Sequence, residues 1–114
     1  MPNTFPKQNK LCGKERIAAL YKEGKRLAAW PLRVTYMHSE AETQVLVWAP
    51  KSLFKKAVQR NHLRRLMREA FRLHQELLEE KHYRIAFNYM DKEVQPYAVI
   101  EKAVCKALKK IAEK

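Results

Sequence analysis

The chain has 114 residues, 46% of them hydrophobic, enough for one core and too few for two independent ones. Lys and Arg number 24 against 12 Asp and Glu, a formal net charge of +12 at pH 7, so the expected partner is a polyanion, with nucleic acid the first candidate. No apolar run approaches the roughly 20 residues that cross a bilayer, and the opening MPNTFPKQNK lacks the apolar stretch of a secretory signal, so no membrane partner is expected and the expected location is the cytoplasm.

Two prolines and several polar residues in the first ten positions predict an irregular arm over 1–12. No repeat and no dividing linker follows, so residues 1–114 are expected to form a single domain. Ile17, Leu20 and Tyr21 fall at i, i+3 and i+4, which predicts a helix over 14–23. Gly24 suits the position just past its end, where a left-handed backbone costs glycine little. From Trp30 to Met37, Leu32, Val34 and Tyr36 alternate with Pro31, Arg33 and Thr35, the period of a strand with one buried face. A polar turn from His38 to Thr43 leads to a second strand over 45–49, stopped by Pro50. Two strands around a short polar connection predict an antiparallel hairpin.

Residues 57–81 read as one unbroken helix, with Leu63, Leu66, Met67, Ala70, Phe71 and Leu77 on one side and Glu76, Glu79 and Glu80 in its last turns. Tyr83, Ile85, Phe87 and Tyr89 alternate along a third strand. Pro96 fits the first turn of a final helix whose stripe is Ile100, Ala103, Val104, Ala107, Leu108 and Ile111, with Lys102, Lys106, Lys109 and Lys110 on or beside its solvated side. The expected order is α-β-β-α-β-α, an α+β two-layer sandwich of helices on a small sheet.

The charge is concentrated. Residues 51–72 hold Lys51, Lys55, Lys56, Arg60, Arg64, Arg65, Arg68 and Arg72 against Glu69 alone, over half of the net charge. Arg60, Arg64, Arg68 and Arg72 succeed one another at i+4 along one ridge, with Arg65 beside it. Like charges at that spacing repel unless an anion lies across them, and the guanidinium fork holds a phosphate through two hydrogen bonds. The aromatics at alternating or helical spacing are core by default; a strand face with a few exposed ones beside arginines would instead stack unpaired bases.

Catalytic constellations are missing from the sequence. His38, His62, His74 and His82 have no metal-ligand spacing, Asp91 is the only aspartate, and two glycines cannot build a phosphate loop. Cys12 and Cys105 stand outside any metal or redox spacing and read as reduced thiols. Neither a catalytic residue nor a protein-held metal is therefore expected.

The stretch KKAVQRNHLRRLMREAFR, Lys55 to Arg72, resembles the signature of the protein subunit of bacterial ribonuclease P, Ala-Val-x-Arg-Asn-x-x-(Lys/Arg)-Arg-x-(Leu/Met)-Arg-(Glu/Gln)-Ala-(Phe/Tyr). It is matched by Ala57, Val58, Arg60, Asn61, Arg64, Arg65, Met67, Arg68, Glu69, Ala70 and Phe71. The resemblance extends over most of the chain, from the first helix closed by Lys22 to Gly24 to the final helix. There are departures: the family's Ser-Lys-Lys, apolar residue and Gly ahead of the motif are replaced by Pro50-Lys51-Ser52-Leu53-Phe54-Lys55, one residue longer and without glycine, and its aromatic pair on the first helix appears as Ile17 and Tyr21.

The resemblance implies a mixed sheet with a left-handed β-α-β crossover, the fold of the second domain of ribosomal protein S5, against the usual handedness. It implies an RNA-dependent endonuclease whose RNA subunit, with Mg2+ bound mainly by that RNA, removes the 5′ leader of precursor tRNA. By the same resemblance Lys51, Lys55, Lys56, Arg60, Asn61, Arg64, Arg65, Arg68 and Arg72 bind the RNA subunit, and Ile17, Tyr21, Arg33 and Thr35 bind the leader. Since leaders vary in sequence, such a site reads backbone charge and unpaired base faces. On the residues alone, a ribosomal-protein-like structural RNA binder shares the size, charge and architecture. A helix-turn-helix protein lacks its short helix ahead of the arginine helix, so DNA is not expected as a partner. A stand-alone nuclease lacks its catalytic groups.

Overall fold

Alternating apolar residues build a four-stranded sheet, and two amphipathic helices cover its more apolar face. The computed structural model describes residues 14–39, 43–78 and 82–113. The expected arm over 1–12, the centre of the polar turn and the last residues of the expected long helix lie outside the described residues. In chain order the elements are α1 (Lys14–Glu23), β1 (Lys25–Ala29), β2 (Leu32–His38), β3 (Gln44–Trp48), α2 (Ala57–His74), a 3-10 turn (Gln75–Leu78), β4 (Tyr83–Tyr89) and α3 (Tyr97–Ala112).

The sheet order is β1-β2-β4-β3. β1 pairs antiparallel with β2, β2 antiparallel with β4, and β3 runs parallel to β4, so β3-α2-β4 is the crossover of a mixed sheet. Three sequence expectations are corrected here. The hairpin is β1-β2, closed at Trp30-Pro31 with a cis peptide bond, because β4 lies between β2 and β3. β4 takes that central place because it is buried on both faces, Ile85, Phe87 and Tyr89 on one and Ala86 on the other. The strand β1 is additional, giving the order α-β-β-β-α-β-α; its sequence KRLAA buries only Ala29 fully and is basic along an edge, a composition that also discourages a further strand from pairing there. Finally, α2 tightens into a 3-10 turn after His74 instead of continuing unbroken.

Leu63, Met67, Ala70 and Phe71 of α2 and the six apolar stripe residues of α3 pack with Leu32, Val34, Tyr36, Val45, Val47, Ile85, Phe87 and Tyr89 in the main core. On the opposite face Leu20 of α1 packs on Ala86, flanked by Ile17, Tyr21, Met37 and Leu46. Gly24 joins α1 to β1 at close quarters: a Cβ there would stand 2.4 Å from the Leu20 carbonyl oxygen and 2.9 Å from Thr35 Cγ2. Its backbone lies outside the left-handed region, so the glycine is required for space and not for its φ, a further correction.

Candidate nucleic-acid interface

α1 covers only part of its face of the sheet. Two cross-strand rows define what lies beneath and beside it: Arg26, Thr35, Ala86 and Leu46, then Ala28, Arg33, Asn88 and Trp48. The helix sits over the first row and leaves the second open, producing a groove of about 830 Å³. Ile17 and Tyr21 line its α1 wall, Arg33 and Thr35 its floor, and Pro50, Ser52 and Leu53 line it from the loop before α2. All four sequence-predicted leader residues thus come together in one cavity. Thr35 is only 1% exposed, so it shapes the floor and presents no free surface. Tyr21 is half-buried, its hydroxyl donating to Asn88 Oδ1 at 3.1 Å, while Arg26 Nη2 donates to the Tyr21 carbonyl at 3.2 Å.

Sequence reasoning missed Arg26, Leu46, Trp48, Asn88 and Met90, which also line the groove. The signal was present for two of them: Trp48 follows Leu46 by two positions, and Asn88 interrupts the apolar Phe87 and Tyr89, so alternation puts both on the face away from the core. Trp48 is 50% exposed and Trp30, in the hairpin turn, 64%.

The arginine ridge belongs to α2, which packs on the other face of the sheet. Burial of Leu63, Met67, Ala70 and Phe71 turns the opposite side of the helix outward. Lys51, Lys55, Lys56, Asn61 and Arg65 are exposed, while Arg60, Arg64, Arg68 and Arg72 are half-buried. These groups are not equivalent. Arg60 Nη1 donates to the carbonyls of Phe54 at 2.8 Å and Lys55 at 3.0 Å, securing the loop from which α2 starts. Phe54 anchors that loop, buried with its ring 5.7 Å from Tyr89, and the Pro50 carbonyl accepts from the backbone N–H groups of Leu53 and Phe54. No side chain caps α2 at Lys56, so Arg60 supplies the local order a cap would give.

Asn61 Oδ1 accepts from Arg64 Nη2, fixing that guanidinium's direction. Burial, and then the Arg64 charge, push the Arg68 guanidinium below its usual value. Arg72 is paired with Glu69, its Nη2 donating to Oε1 and its Nε to Oε2 at 3.3 Å; hydrogen bonding within this pair is the main reason the Glu69 carboxyl is lowered and the Arg72 guanidinium raised. Among the titratable groups off the ridge, His74 Nε2 lies 2.9 Å from Glu101 Oε2, between α2 and α3, and Cys105 is a free thiol that burial pushes up. Cys12 lies outside the described residues. Among the described residues no three His, Cys, Asp or Glu side chains cluster to hold a metal ion, and no helix is long and apolar enough to cross a membrane.

A cationic helix on one side of a mixed sheet and an open, aromatic-walled groove on the other define a class of small basic α+β proteins with two separate polar surfaces. The family described as Ribonuclease P matches residues 5–112, and the chain belongs to that family. A ribonuclease P protein component from Porphyromonas gingivalis is 35% identical across 97% of this chain and 90% of the relative. One from Chlorobaculum tepidum is 35% identical across 67% and 54%. Among solved structures, the ribonuclease P protein of Thermotoga maritima superposes with a TM-score of 0.78 at 21% identity, covering 89% of this chain and 96% of that one. That of Staphylococcus aureus gives 0.77 at 19%, covering 92% and 95%. Membership makes this chain the protein part of a tRNA 5′-processing ribonucleoprotein enzyme, with ribonuclease P RNA as its implied partner.

Proposed function

We propose that this chain acts as a single RNA-binding domain with two distinct RNA surfaces. Lys51, Lys55, Lys56, Arg64, Arg65 and Arg68 hold phosphates of the RNA subunit, with Arg60, Asn61 and Arg72 ordering that surface as well as contributing to it. The groove holds the single-stranded 5′ leader of precursor tRNA against Ile17, Tyr21 and Arg33, over the floor that Thr35 shapes. The observation that carries this reading is the meeting of side chains from α1 and β2 in one groove, on the face of the sheet opposite α2. An apolar wall beside two arginines suits an extended strand read by charge and stacking.

Bond breaking is assigned to the RNA subunit, for which magnesium ions held mainly by that RNA supply the metal chemistry. A cytoplasmic ribonucleoprotein, with no membrane or DNA partner, follows from the same reading. Reconstitution tests it. Purified protein freed of RNA leaves precursor tRNA intact, and adding the cognate RNA subunit with magnesium yields 5′ processing with a preference for leader-bearing over leaderless tRNA. Cleavage by the protein alone, abolished by a point substitution, would instead identify a stand-alone nuclease.

A further inference from the structure

The open row of the groove places three chemically different side chains on adjacent strands: Arg33 on β2, Asn88 on β4 and Trp48 on β3. With strands about 4.8 Å apart, the row spans roughly 10 Å. Trp48 leaves half of its surface in solvent, although an indole on a sheet face ordinarily finds cover, and it does so inside the groove beside Leu53 and Met90. The Tyr21 hydroxyl occupies Asn88 Oδ1, and among the described residues the Asn88 amide NH2 has no hydrogen-bond partner, so that amide is left free to donate. Arg33 is exposed and, among the described residues, has no carboxylate partner.

We infer that this row seats one nucleotide of the leader: the Trp48 indole stacks on its base, the Asn88 amide donates to an acceptor on the base edge, and Arg33 holds its phosphate. The inference rests on the leader reading above and adds to it a defined base position, at the end of the groove nearest the loop that leads into α2. An exposed indole gives sequence-tolerant stacking, and a donor whose carbonyl is already engaged contributes the only directional contact with the base.

The chain has two tryptophans, and replacing the exposed turn residue by Trp30→Phe makes Trp48 the sole reporter. The Trp30→Phe protein, assembled with the RNA subunit, is titrated with precursor tRNA carrying a leader and with the same tRNA lacking one. Trp48 emission is expected to be quenched by the first and unchanged by the second. Trp48→Ala should lower affinity for the leader-bearing tRNA about 5- to 150-fold, as loss of one stacked base does, with most of it retained in Trp48→Phe and leaderless affinity unaltered. Asn88→Ala should weaken the leader-bearing complex several-fold and leave quenching in place. If leader preference is present in the parent and falls in Tyr21→Ala, yet Trp48 emission never responds and Trp48→Ala binds normally, the seat is overturned while the leader groove stands. No leader preference in the parent assembly overturns both.

Discussion

Arg60 and Arg64 stand one helical turn apart with the same charge and do different work. Arg60 is spent on two carbonyls of the preceding loop, whereas Arg64 is aimed outward by Asn61. Replacing Arg60 by Ala should therefore cost about 1–2 kcal/mol in urea unfolding, the range of charged hydrogen bonds partly open to water, while Arg65→Ala should change stability by less than ~0.5 kcal/mol. Binding to the RNA subunit should separate the same residues in the other direction. Each phosphate contact removed flattens the slope of log K against log salt by roughly 0.7–0.9, so an Arg64→Ala, Arg65→Ala double variant should lose about twice that. An unchanged slope in the double variant would make the ridge a solvated face. The motif showed which side chains are basic; which of them are tied to backbone carbonyls depends on where the loop folds back, and that is a tertiary fact.

Among the elements, the contact between α1 and β1 has the least room. A methyl group at position 24 would collide with the backbone of α1 and with Thr35, so Gly24→Ala should destabilise the fold by about 1–3 kcal/mol in equilibrium unfolding and shift α1, weakening leader binding more than RNA-subunit binding. On α2, the Glu69 carboxyl is held low chiefly by the Arg72 hydrogen bond. Its folded pKa lies below the unfolded value of about 4.3, so its contribution is present above that pH and lost as the pH falls through the folded pKa. Glu69→Gln should remove that part of the acid sensitivity by slightly lowering stability at pH 7 while matching the parent below the folded pKa, a small difference because the pair is partly open to water.

Element identity was well marked in this sequence: α1 and β4 fall where periodicity predicts them. Pairing was not. Periodicity reports burial of side chains, so the mostly exposed edge strand β1 carries little signal, and the rule that nearby strands pair fails when a doubly buried strand such as β4 takes the centre.

For the whole molecule, the two surfaces lie on opposite faces of one sheet, and residues 50–55 join them: Ser52 and Leu53 line the groove and Lys55 borders the start of α2. Because Phe54 and Arg60 fix that loop, an RNA bound on α2 is held at a set position relative to a strand in the groove. Ile17, Tyr21, Arg33 and Thr35 were named through the motif resemblance and the structure brings them into one groove; alternation alone puts Trp48 and Asn88 on the face away from the core, but their alignment in one row with Arg33 depends on the register of β2, β3 and β4.

Site-specific photo-crosslinking in the assembled ribonucleoprotein with leader-bearing precursor tests this division directly. A probe at position 21, in the groove wall, should label the 5′ leader, and a probe at position 65, on the exposed side of α2, should label the RNA subunit. Labels from position 21 confined to protein or to the RNA subunit, or labels from both positions falling on the same RNA segment, would contradict the account.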